Sequence, residues 1–546
     1  VDQNTPKSAC HDGVWRILIY LVPAAGLALG LLLLMKGIAQ PWNGFGDPDG
    51  ALFSSIARNY LQFGVFNLKF GQLATFEAIT QPGGTYYLHH PPLLPLSIAA
   101  SFSLFGEAEV YARLVSVLAT LGTAGLLFII LREAVNVRTG LLGAFFFLTY
   151  PSTVVFGRKP GYEALTLFFV VLAVWLYQNY RNQPGLGRML LLLASLAAGA
   201  ASDWAAYLLP PVMILHYVFT HKARPWDWPL LAGLVLVPAV TLAAFLFGIY
   251  QVDKASVLDL IHQGLAYTGL FSAHGEIAKT MIEAKITFTG KEYFFRLIKN
   301  FDTAFGLVSA LLAFLGLVLI QRHKKAKWSA FALSFVALGT FVVFWRSLFF
   351  HLWWLHLLTA PLAILGAVAV NGMLELLEPG KPNIRDAARA GIVAAVALPV
   401  MLGMLYNVWQ LANQQIRILP HDQLEKPDFI PLLGRAILGA TSMGDRILTN
   451  LAPVTSETNP YARVLPYYSR RVIVPAVSTP DQVLAQISEA RGQPDAGFYF
   501  LFGPGTKMSH AGNALLTWLN QHATARWLTV QGQSFQLFKL DRGLGT

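Results

Sequence analysis

The chain has 546 residues, of which 55% are hydrophobic and only 13% charged. A soluble protein of this length cannot bury so much apolar surface, because core size saturates as chains lengthen, so the composition excludes an ordinary soluble fold. The net charge of +11 does not point to nucleic acid, because the basic residues fall in short loops between apolar runs, as the positive-inside bias requires.

Cys10 is the only cysteine, which rules out an intramolecular disulfide and a cysteine metal site. The apolar run after the polar N-terminus is too long for a signal-peptide core and lacks a convincing cleavage site. It is expected to be a retained first span, 14–39. A polar stretch follows from Asp47 to Pro92, reading GDPDGALFSSIARNYLQFG and then TYYLHHPPLLPL. Acidic, imidazole and aromatic side chains gathered beside so much apolar sequence mark a place for chemistry. The apolar segment 92–105 is short for a span, so it is expected to be an interfacial or re-entrant helix on the same side as Asp49.

Further spans are expected at 109–131, 138–156, 162–180, 188–201, 204–220, 229–250, 302–320, 328–346, 350–371 and 390–408, eleven with the first. Threaded so, one side receives Arg132, Arg138, Arg181, Arg188, Lys222, Arg224, the run 322–327, Lys381, Arg385 and Arg389, and by the positive-inside rule is the cytoplasm. The other side receives Asp47, Asp49, His89, His90, Arg158, Glu163, Asp203 and His351. An outer loop, 251–301, alternates the apolar stretches VLDLI and YFFRLI with lysines, as an interfacial helix does, and is expected to be partly ordered over a donor cavity. After Trp409 the hydropathy falls. ILTN, VIVPAV, FYFLF, WLTV and FQLFKL read as strands alternating with helices at 428–440, 480–491 and 511–523, which predicts a largely parallel α/β domain. The expected plan is a polytopic α-helical membrane domain, 1–408, with outer loops 40–107 and 251–301, followed by an extracytoplasmic α/β domain, 409–546. No internal repeat is visible.

Asp49 has two readings: a helix N-cap, for which aspartate is favoured, or a general base or metal ligand. In His89-His90-Pro91-Pro92 the prolines end the extended segment and start the next helix, aiming the imidazoles away from it. Asp49, Glu77, His89 and His90 together offer the nitrogen and oxygen donors used by zinc, manganese or magnesium, although their spacing matches no compact metal motif. Arg158 and Lys159 have the plainer role of headgroup anchors. Glu163 begins a long apolar run, where an ionised carboxylate needs a partner. Asp203 at a tight turn is a similar case. His351 and His356 flank Trp353 and Trp354, and an aromatic belt explains the indoles but not the imidazoles.

The ordered set resembles the membrane glycosyltransferases with a GT-C fold, among them the protein O-mannosyltransferases and the lipid A aminoarabinose transferases. Asp49, Phe53 and Ile56-Ala57-Arg58-Asn59 are similar to their "D-E-A-x-Y-A-x-I-A-R-N" opening, and His90-Pro91-Pro92-Leu93 to their "H/K-P-P-L". Leu104-Phe105-Gly106 with Arg113 resembles "L-F-G … R", Arg158 with Glu163 resembles "S-R-x-x-x-x-D", and His351-x-Trp353-Trp354 resembles "H-x-Y-Y". Three departures stand out. Gly50 replaces the second acid of "D-E", Glu163 stands where aspartate is usual, and Ser202-Asp203-Trp204 stands near "T-K-G", without its lysine.

The resemblance implies a polyprenyl-phosphate sugar donor and a protein, lipid or glycan acceptor at the outer face of a bacterial inner membrane, with membrane lipids as a further partner and no nucleic acid. It implies inversion, with Asp49 as base and Glu163 sharing its cavity as the second catalytic carboxylate. Arg58, Tyr87, His90, Arg158, Asp203, Arg346, His351 and His356 are the expected substrate contacts. A divalent metal (Mg, Mn or Zn) would be held by Asp49, His89 and His90. The alternatives from other classes are a transporter or lipid flippase and a non-catalytic subunit of the same fold. A transporter should carry ionisable or broken-helix features near the bilayer midplane, whereas here the polar residues gather at one face.

Overall fold

The computed structural model describes residues 8–42, 47–74, 86–220, 227–268, 288–375, 429–442, 444–450, 460–474, 477–489, 497–503 and 510–545. The expected span 390–408 and Glu77 lie outside them. The chain forms two compact units: Val1–Ile38, His89–Leu94 and Leu114–Gln414 make the first, and Ala39–Leu88, Pro95–Arg113 and Gln415–Thr546 the second.

The first unit is helical. Among the described residues of the whole chain, five helices are long and apolar enough to cross a membrane: Glu109–Ala134, Tyr162–Asn182, Trp228–Val252, Lys324–Val343 and Leu352–Glu375. Gly290–Phe305 and Val308–Arg322 would make a sixth if counted as one span, but an 84° bend separates them. The bend falls at Gly306, whose φ of 73° is open to glycine and costly to other residues. The expected span 138–156 is likewise broken. Tyr150 is extended between the helices Val137–Thr149 and Pro151–Phe156, because Pro151 disfavours helical backbone at the residue before it. The expected span 204–220 opens with a 3-10 turn, Trp204–Leu208, before Leu209–Thr220.

The helices of this unit pack through a large buried apolar core, and at several glycines they approach very closely. A methyl group on Gly316 would stand 2.2 Å from the Leu365 carbonyl oxygen, and one on Gly30 would stand 2.8 Å from Leu148 Cβ. Around these contacts Phe145, Phe146, Phe147, Tyr150 and Tyr177 are fully buried.

The second unit joins a polar N-terminal segment to the C-terminal residues. The helix Asp47–Phe63 is buried continuously from Gly50 to Tyr60. It is held to the short antiparallel pair β1 (Gln72–Leu73) and β2 (Tyr86–Tyr87) by Asn59 Nδ2, which donates to the Leu73 carbonyl at 2.8 Å. The C-terminal sheet contains β3 (Arg446–Thr449), β4 (Val472–Val474), β5 (Phe498–Phe502), β6 (Ala523–Val530) and β7 (Gln533–Leu540), in the order β4-β3-β5-β7-β6. β3 pairs parallel with β4 and β5, but β7 is antiparallel to both β5 and β6. The largely parallel expectation is corrected here. Only Gln531 and Gly532 separate β6 from β7, both with positive φ, and a two-residue turn of that kind makes a hairpin. The helices Phe429–Ala440, Pro480–Glu489 and His510–His522 fall where the sequence put them, while Pro460–Ser469 was not foreseen.

Candidate functional site

In the second unit, Asp49 is the third residue of the helix Asp47–Phe63, so it lies inside the first turn rather than at the cap. Pro48 suits that turn, where its missing N–H costs nothing. The Arg463 guanidinium, from the helix Pro460–Ser469, donates to the Asp49 carboxylate. Asp47 pairs with Arg113 at 3.1 Å. Arg113 also donates to the Gln40 carbonyl and lies 4.2 Å over the Trp42 ring. Arg58 is buried in the same unit. Its Nε donates to Glu107 at 2.9 Å, a terminal nitrogen donates to the Tyr467 carbonyl at 3.1 Å, and its plane covers the Tyr467 ring at 4.6 Å. Glu107 takes a second cation, Arg470, at 3.2 Å. Tyr468 donates its hydroxyl to Glu109 and accepts from the Trp42 amide at 2.9 Å, and burial followed by that carboxylate pushes its phenol up. Tyr87 sets an edge-to-face contact with Phe53 at 5.6 Å.

In the first unit, the His90 ring stacks on Tyr162 with centroids 4.5 Å apart, and its Nε2 stands 3.7 Å from Asp203 Oδ1. Asp203 caps the turn Trp204–Leu208 by accepting from the Trp204 amide at 2.7 Å. Two further bonds tie the histidine-proline segment to this turn. Trp204 Nε1 donates to the His89 carbonyl at 3.0 Å, and the Leu93 amide donates to the Ala201 carbonyl at 3.1 Å. Burial pushes the Asp203 carboxyl up to about 7; the Trp204 amide opposes this, and the nearby charge of Glu163 adds to it. Glu163 is the second residue of the helix Tyr162–Asn182 and curls back over Gly161, where a methyl group would meet its Oε2 at 2.1 Å. His90, Asp203 and Glu163 therefore form one electrostatic group.

The other candidates of this unit make the following contacts. Arg158 donates to the Lys36 carbonyl at 2.6 Å, just beyond the end of the helix Ser8–Met35. Lys159 is buried with its ammonium 5.3 Å from the Trp353 ring, on which His351 stacks at 3.8 Å. His356 is fully buried among Phe147 and Phe156, with Nδ1 3.4 Å from Ser152 Oγ, deep in the helix packing. Arg346 lies 5.5 Å from the ring of its neighbour Trp345.

The donor set expected for a metal is not assembled among the described residues, where no three His, Cys, Asp or Glu side chains come together as ligands. The expected ligands have other partners: Asp49 faces a guanidinium and His90 a carboxylate. Sequence reasoning missed Arg463, Tyr467 and Tyr468, which reach Asp49, Arg58 and Glu109 from more than 350 positions away.

Residues 89–247 match the family model described as dolichyl-phosphate-mannose-protein mannosyltransferase. No curated protein matches the sequence. Solved structures do. ArnT from Cupriavidus metallidurans bound to undecaprenyl phosphate is 15% identical with a TM-score of 0.58, over 96% of this chain and 98% of that one. The apo form of the same enzyme gives 15% and 0.56, over 98% and 99%. The oligosaccharyltransferase of Archaeoglobus fulgidus in its apo form is 13% identical with a TM-score of 0.52, over 88% of this chain and 69% of that one. An apolar helical unit, a second unit with a C-terminal sheet and these likenesses over nearly the whole chain identify an integral membrane protein with the GT-C fold of the membrane glycosyltransferases.

Proposed function

We propose that this protein transfers a sugar from a polyprenyl-phosphate donor to a hydroxyl-bearing acceptor at the outer face of a bacterial inner membrane. A fold alone hosts many functions. The observation that carries this reading is the group His90, Asp203 and Glu163, ionisable side chains packed at the ends of apolar helices in a chain whose fold matches a structure holding a polyprenyl phosphate. Such groups are costly beside hydrocarbon and persist where they do work.

In this reading Asp49 takes the acceptor's proton while the acceptor oxygen forms its bond to the anomeric carbon. The anomeric carbon–phosphate oxygen bond breaks with inversion, and its electron pair leaves on the phosphate. Cationic side chains would stabilise that leaving group. When protonated, the His90 imidazolium would add to that stabilisation. Asp49 must exchange its hold on Arg463 for the acceptor hydroxyl, since a carboxylate saturated by a guanidinium is a poor base. Arg158, Arg346 and His351 remain the further candidates for donor binding.

The test is purified protein incubated with a panel of radiolabelled polyprenyl-phosphate sugars. Sugar transfer or release supports the reading. Asp49→Asn should lower the rate by roughly 10²–10⁴ if a general base is lost, and Glu163→Gln should lower it without loss of expression. Normal turnover by Asp49→Asn would refute the base, and label that crosses the bilayer with no bond broken would identify a flippase. A reporter fused after Trp409 should report the outer side, and a cytoplasmic signal would overturn the proposed orientation.

A further inference from the structure

The helix Gly290–Phe305 meets the helix Val308–Leu319 at 84° across Gly306. The second of these is apolar all round, and Leu311, Phe314, Leu317 and Val318 are exposed on it by more than half, as a lipid-facing helix requires. With the apolar helix entering the hydrocarbon, a helix bent 84° from it runs along the membrane, and its composition decides at what depth.

The composition of Gly290–Phe305 sets it at the interface. Residues turn by about 100° each along a helix, which gives this one three faces. Asn300 and Ala304 are buried on one face, and Tyr293 on the same side donates its hydroxyl to the Trp345 carbonyl at 2.9 Å. Phe294, Phe295 and Ile298 form a second face, exposed at 59%, 58% and 39%. Arg296 and Lys299 stand beside it, with Lys291 one turn earlier, all exposed. The two acids of the helix are occupied at its ends. Glu292 accepts from the Thr289 amide at 2.7 Å in a capping box, and Asp302 accepts from the Leu307 amide at 3.0 Å. The three cations edge an open groove of about 580 Å³ lined also by Phe295, Phe349, Thr289 and one carboxylate, Glu292, which the capping box engages, so the cations outnumber the acid three to one.

We infer that this helix is a docking site for the anionic phospholipid headgroups of the surrounding bilayer: its phenylalanines enter the acyl boundary while Lys291, Arg296 and Lys299 bind lipid phosphate in the groove. Charge complementarity selects the occupant, because an apolar face alone would take any lipid, whereas three cations beside it favour headgroups with net negative charge. The inference does not require that the protein be a transferase.

The experiment uses the full chain with Cys10→Ser, so that Phe295→Cys can carry a polarity-sensitive fluorophore, with Ile298→Cys as a second position should the first disturb folding. Labelled protein is reconstituted in phosphatidylcholine vesicles with or without phosphatidylglycerol and quenched by spin labels at the headgroup level. Phosphatidylglycerol should shift the emission to the blue and raise quenching several-fold. Combining Lys291→Gln, Arg296→Gln and Lys299→Gln should abolish that dependence. Equal signals in both lipids, or an unchanged response in the triple variant, would overturn the inference. So would recovery of the full signal in phosphatidylcholine by added polyprenyl phosphate or inorganic phosphate, which would assign the groove to a carrier or a free anion.

Discussion

Gly50 stands where the GT-C enzymes that this sequence resembles carry a second acid, and the reason is steric. A Cβ at this position would lie 2.5 Å from the Trp42 ring, over which the Arg113 guanidinium also lies at 4.2 Å. Gly50→Ala should therefore cost about 1–3 kcal/mol through overpacking, read as a lower melting temperature in detergent, and Trp42→Leu in the same chain should recover part of it. Asp203 gives a prediction with a sign. Its folded carboxyl is raised to about 7 by burial, so the folded state favours the protonated form. That costs nothing below the ordinary value near 4, and the cost grows as pH rises towards 7. Asp203→Asn keeps the cap on Trp204, because asparagine caps about as well. The variant should match the parent at pH 4 and exceed it at pH 8 by a few kcal/mol, since each tenfold change in the protonation equilibrium is worth roughly 1.4 kcal/mol. Equal melting curves at both pH values would show that Asp203 stays ionised beside His90. How far each residue was legible follows from where its partner sits. His90 and Asp203 announced themselves as polar groups in apolar sequence, but Arg463 did not, since a lone arginine in a soluble segment carries no mark of a partner 414 positions away.

Among the elements, apolar length was the dependable signal. It located the helices Glu109–Ala134, Tyr162–Asn182, Trp228–Val252 and Lys324–Val343 because each fills the hydrocarbon thickness without interruption. It failed where the backbone breaks inside an apolar run, as at Tyr150 and Gly306, since hydropathy does not register the conformational demand of a proline or a glycine. It also says nothing about how closely helices approach. Gly316→Ala would press a methyl group against the Leu365 carbonyl, a backbone atom that cannot rotate away. The substitution should part the helices Val308–Leu319 and Thr359–Glu375 and lower thermal stability by about 1–3 kcal/mol. Gly264→Ala, inside the helix Lys254–Thr268 where nothing lies within 4 Å, should not lower melting, since alanine favours the helix, and serves as its control.

For the molecule as a whole, the division by hydropathy and the division by contact differ. The second unit recruits Ala39–Leu88 and Pro95–Arg113 to the C-terminal residues, so a cut near Trp409 does not separate a complete unit. Deleting 415–546 should strip Asp49 of Arg463 and Arg58 of Tyr467, and hydrogen exchange across 47–63 should rise to the level of a loosely held helix. Protection retained in the truncated protein would show that the helix stands on local contacts.

That interleaving also sets a schedule for synthesis. Residues 39–113 leave the ribosome roughly 300 residues before 415 does, which at ordinary elongation rates is about 15–60 s. Through that interval the nascent helix Asp47–Phe63, buried from Gly50 to Tyr60 in the finished protein, waits without the Tyr467 carbonyl or the Arg463 guanidinium. The cell must therefore shelter an incomplete surface while the later helices are inserted, and stalled translation anywhere between the two segments leaves that surface without its cover.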